Sequence, residues 1–247
     1  MRIVGVIPAR YGATRFPGKP LVKIAEKPLL QWVIEGARQS KKLDEVIVAT
    51  DHSEIQELCR GLSCEVVMTD PDLPSGSDRV WATVKDASCD VVVNIQGDEP
   101  LISGDWIDQL VTPFENDPAL AMATLGRPLK PGDLESSTTA KIVINKKGEA
   151  IYFSRFPIPY SRNDAEHFPE GCLKHIGMYA FSKSFLKEFC GQPPTVIEQA
   201  EGLEQLRALY LGARIHVVPV NYESWGVDTP EDVKKIESIL KGASYGS

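Results

Sequence analysis

At 247 residues, 43% of them hydrophobic and 25% charged, the chain is long enough to bury a core without metals or disulfides. Its composition excludes a disordered, collagen-like or coiled-coil protein. The 27 Lys and Arg against 34 Asp and Glu leave a formal charge of −7; this argues against nucleic-acid partners but leaves room for a local basic cluster to bind a small anion.

No apolar run reaches the roughly 18 residues of a membrane span. The start, Met1–Pro8, is too short for a signal peptide and lacks a cleavage site. No membrane association and a cytoplasmic location are therefore expected. Cys59, Cys64, Cys89, Cys172 and Cys190 contain no C-x-x-C pair, which fits reduced thiols rather than a disulfide frame or a zinc site.

Along the chain, short apolar runs alternate with helical spacing. Strands are predicted at Ile3–Ile7, Val46–Ala49, Glu65–Met68, Val91–Ile95 and Leu120–Leu125. Helices are predicted at Leu29–Ala37, His52–Leu62, Asp78–Ala87 and Trp106–Phe114. Such alternation implies an α/β fold with a mainly parallel sheet and helices on both faces. The second half is less regular. Strands are expected at Ala140–Ile144, Ala150–Ser154, Ile176–Phe181 and Ile215–Val220, and helices at Ser182–Phe189 and Glu198–Leu211. The last of these would carry Leu203, Leu206 and Tyr210 on one stripe. Phe156–Gly171, rich in Pro, Asn, Asp and aromatics, reads as a long loop or arm. Thr229-Pro230-Glu231-Asp232 is a strong helix start, with a Thr cap, Pro at the first position and acids in the first turn. That helix runs to about Leu240. No linker separates two domains, so a single domain over 1–247 is expected.

Several motifs carry chemistry. Pro8-Ala9-Arg10-Tyr11-Gly12-Ala13-Thr14-Arg15-Phe16-Pro17-Gly18-Lys19-Pro20 follows the first strand, where open α/β sheets bind ligands. Its glycines allow close backbone approach, and Arg10, Arg15 and Lys19 suit a triphosphate. It matches neither G-x-G-x-x-G nor a Walker A sequence. Gln96-Gly97-Asp98-Glu99-Pro100 follows the most strand-like segment and reads either as a plain turn or as a magnesium ligand at Asp98. In Gly226–Asp232 the helix cap explains Thr229, Pro230 and Asp232 but leaves Asp228 over, free to join Asp98 at a metal. Pro74–Arg79 is a small-residue turn opening a helix; it is either an N-cap or a base reader through Ser75, Gly76 and Arg79. On Leu203–Arg207 the leucines are core, whereas Glu204, Gln205 and Arg207 would ordinarily face solvent. His175, judged alone, is a structural histidine.

Together these segments resemble the CMP-Kdo synthetases, the 3-deoxy-manno-octulosonate cytidylyltransferases. The resemblance runs from Ile3 to about Leu240 through PARYGATRFPGKPL, VATD (Val48–Asp51), SGSDR, NIQGDEP, YFSR (Tyr152–Arg155), KHIGMY (Lys174–Tyr179), LEQLR and GVDTPED. Ser77-Asp78 stands where many relatives have Thr-Glu, and Ser136–Ala140 matches less clearly. The resemblance implies a nucleotide-diphospho-sugar transferase-like fold and a homodimer, with the arm near residues 150–175 at the subunit contact. It implies that CTP and Kdo, an eight-carbon 3-deoxy sugar acid, give CMP-Kdo and pyrophosphate for lipopolysaccharide synthesis, with the 8-amino analogue of Kdo left open. By resemblance, Mg2+ is held by Asp98 and Asp228, with Lys19 beside them as a catalytic group. The nucleotide is held by Pro8, Ala9, Arg10, Arg15, Lys19, Ser75, Gly76, Arg79 and Gln96. The sugar is held by Gln96, Arg155, His175, Tyr179, Glu204 and Gln205. A CMP-sialic acid synthetase, a sugar-1-phosphate enzyme using UTP or dTTP, and a non-catalytic nucleotide-sugar binder remain alternatives at this point.

Overall fold

Ile3–Ala9, the first apolar run, forms strand β1 and is buried almost throughout. The computed structural model describes residues 1–12, 16–160, 162 and 171–243. After β1 come a 3-10 turn at Lys19–Leu21, a small hairpin of β2 (Lys23–Ile24) and β3 (Lys27–Pro28), and helix α1 (Leu29–Ala37). Three strand–helix steps follow: β4 (Glu45–Thr50) with α2 (Ser53–Gly61), β5 (Glu65–Met68) with α3 (Gly76–Val84), and β6 (Val91–Asn94) with α4 (Gly104–Asn116). The chain then forms β7 (Met122–Pro128), β8 (Lys141–Ile144), β9 (Ala150–Ser154), β10 (Cys172–Ser182), α5 (Lys183–Cys190), α6 (Val196–Glu201), α7 (Leu206–Tyr210), β11 (Ile215–Pro219) and α8 (Pro230–Ala243).

Two compact units result: Met1–Asp108 with Glu223–Ser247, and Gln109–Tyr222. In the first unit β6, β1, β4 and β5 lie side by side and all pair in parallel. Burial of every residue of β6 and of all of β1 but Pro8 means that both faces of the sheet are covered at these strands, as the apolar runs require. β1 continues through Pro8 instead of ending before it. Its pairing with β6 stops at Val6 and Asn94, and a proline is tolerated where one side of a strand has no partner.

The second unit departs from the parallel pattern. β7 pairs in parallel with β11 but antiparallel with β10, and β10–β8–β9 continue antiparallel. The register of β10 shifts between Ile176 and Tyr179. Of the arm at Phe156–Gly171, positions 161 and 163–170 lie outside the described residues.

The helix expected at Glu198–Leu211 is two short helices. Gly202 ends α6 in the left-handed region, at φ 61°, a conformation glycine adopts without a Cβ penalty. Tyr210, the last residue of α7, is 68% exposed and leaves the apolar stripe with Leu203 and Leu206. Two residues expected at the surface are core instead: Gln205 and Arg207 are buried. Arg207 donates from Nε to Glu198 Oε2 at 2.9 Å, from Nη2 to Glu198 Oε1, and from Nη1 to the carbonyls of Phe189 and Gln192. Its guanidinium also lies over the Phe189 ring.

Glu198 is the third residue of α6 and closes a capping box with Thr195, so one carboxylate satisfies both a helix end and a buried cation. Removing one partner of a buried pair strands the other charge, at a cost of about 3–5 kcal/mol. Glu198→Ala is therefore expected to destabilise the full chain by that amount in denaturant unfolding. A loss under ~1 kcal/mol would show that Arg207 finds adequate partners without it.

Candidate active site

In the first unit the carboxyl ends of β1 and β6 open onto a cleft of ≈ 350 Å³. Pro8, Ala9, Arg10, Lys19, Ser75, Gly76, Arg79, Gln96, Asp98 and Asp228 all line it. The sequence motifs around positions 8–20, 74–79, 96–100 and 226–232 thus converge on one place. Arg15 lies outside the described residues.

At the centre stands Lys19, its Nζ donating to Asp98 Oδ2 at 2.9 Å and to Asp228 Oδ1 at 3.3 Å. Backbone contacts hold the two acids together. The Asp98 carbonyl accepts from Val227 N–H at 2.9 Å, while the Glu99 carboxylate accepts from Ser224 Oγ and, at 2.9 Å, from Trp225 N–H. Behind Asp228, the Asp232 carboxylate accepts from the N–H groups of Asp228 and Thr229 and from Thr229 Oγ1, at 2.9–3.0 Å. Burial pushes the Asp232 carboxyl up, but those donors outweigh it and leave the group below its ordinary value. Thr229 thus donates its hydroxyl to Asp232, the reverse of the cap polarity that the sequence suggests. Gly97 is required by contact: a Cβ there would sit 2.6 Å from the Pro8 carbonyl oxygen.

The donor set fits a hard divalent cation. Two carboxylates already converge on a positive charge, and magnesium is held through one or two carboxylates plus phosphate oxygens and water. Among the described residues no set of three His, Cys, Asp or Glu converges, so phosphate and water would complete the coordination.

The loop after β1 is tied down by residues to which the sequence assigns no role. Asp51, at the carboxyl end of β4, accepts from Tyr11 N–H through Oδ1 at 3.1 Å, and its Oδ2 lies 3.5 Å from Arg79 Nη2. The Tyr11 ring stacks on His52 at 3.8 Å; His52 in turn caps α2 by accepting from Glu54 N–H. Arg79, only 3% exposed, also donates from Nη1 to Thr69 Oγ1. Its guanidinium is thereby pre-set at the cleft wall by Asp51 and Thr69. The available signal for Asp51 is positional: it ends β4 as Asp98 follows β6.

The second unit holds the remaining candidates. His175 Nε2 lies 3.0 Å from Thr124 Oγ1, and Gln205 Nε2 lies 3.4 Å from His175 Nδ1. The Tyr179 hydroxyl donates to Gln205 Oε1 at 3.0 Å. Burial, with Arg155 adding to it, pulls the His175 pKa down to about 3. Burial pushes the Tyr179 hydroxyl far above its ordinary value, Glu204 adding to the rise and Arg155 opposing it. Glu204 and Arg155 are therefore both within electrostatic reach of this hydrogen-bonded group. Arg155 donates to the carbonyls of Glu201, Gly202 and Thr138 at 2.9, 3.2 and 3.1 Å, a cation at the carboxyl end of α6.

The comparisons with known proteins agree with this geometry. A cytidylyltransferase family model matches residues 4–215. The chain is 58% identical to the 3-deoxy-manno-octulosonate cytidylyltransferase of Bdellovibrio bacteriovorus, covering 97% of this chain and 98% of that one. It is 41% identical to the mitochondrial 3-deoxy-manno-octulosonate cytidylyltransferase of Arabidopsis thaliana, covering 97% and 83%. Among solved structures, a CMP:2-keto-3-deoxy-manno-octonic acid synthetase complexed with CTP superposes with a TM-score of 0.93 at 38% identity, covering 98% of this chain and all of the other. A cytidylyltransferase from Leptospira borgpetersenii, at 17% identity and a TM-score of 0.68, shares the fold.

The neutral state of His175 has a measurable consequence. Its pKa in the unfolded chain is 6.5 and falls to about 3 on folding, so the unfolded state takes up the proton first. The stability contribution is complete above pH 6.5 and is lost as the pH falls from there towards 3. The imidazole resonances of His175, assigned by comparison with His175→Gln, are expected to stay fixed from pH 8 to pH 5. A midpoint near 6.5 would show that the ring is solvated.

Proposed function

The chain belongs to the 3-deoxy-manno-octulosonate cytidylyltransferase family, and from that membership we infer its reaction: CTP and Kdo give CMP-Kdo and pyrophosphate. The anomeric hydroxyl oxygen forms a bond to the α-phosphorus, the α–β phosphoanhydride bond breaks, pyrophosphate leaves with the electron pair, and the hydroxyl proton passes to solvent. Such a transfer asks little covalent work of a protein; positioning and charge neutralisation dominate.

The observation that carries this reading is the Lys19 ammonium held between Asp98 and Asp228 in a cleft walled by Arg10 and Arg79. Lys19 and Arg10, with Arg15 from the same loop, bind the triphosphate and offset its charge. The backbone around Pro8, Ala9, Ser75 and Gly76 meets the cytosine, with Arg79 as a donor fixed in advance by Asp51 and Thr69. Asp98 and Asp228 would hold magnesium, which when bound supplies charge neutralisation and lowers the pKa of a coordinated hydroxyl.

In the second unit, His175, Tyr179 and Gln205 offer hydrogen bonds to the sugar hydroxyls. Arg155 carries the positive charge suited to the sugar carboxylate, since a neutral His175 brings none. Glu204 accepts hydrogen bonds at the hydroxyl end, where an amine in the 8-amino analogue would also be favoured. Gln96 belongs with both substrates. A homodimer is supported by Ile151, Phe156 and Tyr160, three exposed large hydrophobics between positions 151 and 160. A cytoplasmic location suits CTP as substrate and five free cysteines.

The test is pyrophosphate release from CTP, UTP, ATP and dTTP with Kdo, 8-amino-Kdo and sialic acid, with and without magnesium. Release is expected with CTP and Kdo, and Asp98→Asn or Asp228→Asn should lower kcat by about 10² or more with the fold intact. Full activity in Asp98→Asn with magnesium would remove the metal role.

Arg79→Ala should relax the preference for CTP over UTP, because a site built on hydrogen-bond donors discriminates through them. Equal losses for both nucleotides would assign Arg79 to the scaffold.

A further inference from the structure

Lys141, in β8, is fully buried at 0% exposure and heads the largest such side chains of the protein. An ammonium in that position is costly unless its hydrogens are satisfied. Here Nζ donates to two backbone carbonyls, those of Ser136 and Arg155, each at 2.7 Å. A hydrophobic side chain of the same volume would fill the space at lower cost, so packing alone does not account for a lysine.

The two carbonyls show what the charge achieves. Arg155 Nη1 donates to Ser137 O at 3.4 Å and Thr138 O at 3.1 Å. The carbonyls of three consecutive residues, Ser136 to Thr138, therefore turn towards two cations. From its other edge Arg155 reaches Glu201 O and Gly202 O, just ahead of Glu204 and Gln205. Its backbone N–H donates to Glu201 Oε2 at 2.9 Å, and its charge acts on His175 and Tyr179. Lys141 grips the main chain of the residue whose guanidinium sits among the sugar-site groups.

We propose that Lys141 is a positioning residue of the sugar-acid site: by fixing the Arg155 carbonyl and the 136–138 loop, it sets where the Arg155 guanidinium lies among the carbonyls of Ser137, Thr138, Glu201 and Gly202. The proposal rests on the sugar-site reading given above. Small displacements of a binding group are expensive to function, and removing the ammonium takes its donor from the Arg155 carbonyl and leaves the Ser136 carbonyl with only the Thr139 N–H, at 3.3 Å.

The test measures KM for Kdo and for CTP separately in Lys141→Met and in Gln205→Ala. Lys141→Met is expected to raise KM for Kdo by about tenfold or more while KM for CTP stays within about twofold. A fall in thermal stability with both KM values unchanged, or equal rises in both, would overturn the proposal. If Gln205→Ala leaves KM for Kdo unmoved, the sugar-site reading itself fails. If Gln205→Ala raises KM and Lys141→Met does not, only the role of Lys141 fails. Should Lys141→Met yield no folded protein, the exposed loop gives a second probe. Ser137→Gly with Thr138→Gly loosens the 136–138 loop that Lys141 holds through the Ser136 carbonyl, without touching the core, and is expected to raise KM for Kdo several-fold; an unchanged value refutes the proposal.

Discussion

An ammonium group caught between two carboxylates determines most of what the first unit must do. Lys19, Asp98 and Asp228 are supplied by three segments far apart in the chain, and each arrives by a different local device. Lys19 opens a 3-10 turn whose preceding Gly18 takes a left-handed conformation. Asp98 follows a strand buried on every residue. Asp228 sits in front of a proline-started helix and is braced by Asp232. The Val227–Asp98 backbone bond then fixes two of the three against each other. Like charges so placed repel, and a cation between them offsets the repulsion.

The second unit solves a different problem with neutral groups. His175, Tyr179, Gln205 and Thr124 form a chain of hydrogen bonds in a half-buried setting, where a histidine cannot keep a proton and a tyrosine cannot lose one. Hydrogen-bond directions there are consequently insensitive to ordinary changes of pH. Positive charge acting on this group comes from Arg155, whose guanidinium is spent largely on carbonyl oxygens. Carbonyl dipoles orient a cation without cancelling its charge, unlike a carboxylate partner.

Much of this was legible in the residues. The apolar runs of β1, β4 and β6 stand out because a parallel strand buried on both faces needs no alternation. The motifs after β1 and β6 and ahead of α3 and α8 pointed to the cleft, with Asp98 and Asp228 among their residues. The failures have physical causes. The helix expected over Glu198–Leu211 is interrupted because Gly202 stops α6, leaving Leu203 ahead of α7, and Tyr210, the last residue of α7, is exposed. Arg207 and Gln205 read as surface residues because charge and polarity usually mean exposure; Glu198 and Tyr179, their partners, lie 9 and 26 residues away in sequence. Lys141 was invisible for the same reason: its partners are backbone carbonyls brought to it by the fold.

The first unit is discontinuous, since its last segment, Glu223–Ser247, is separated from Met1–Asp108 by the whole of the second unit. On the ribosome, Lys19 and Asp98 emerge early, while Asp228 emerges only after the whole second unit has been made. Until then the Glu99 carboxylate lacks Ser224 and Trp225, and the Asp98 carbonyl lacks Val227. A nascent or prematurely terminated chain can therefore build the parallel sheet yet lacks one of the two acids that grip Lys19. Completion of the cleft is thereby tied to completion of synthesis.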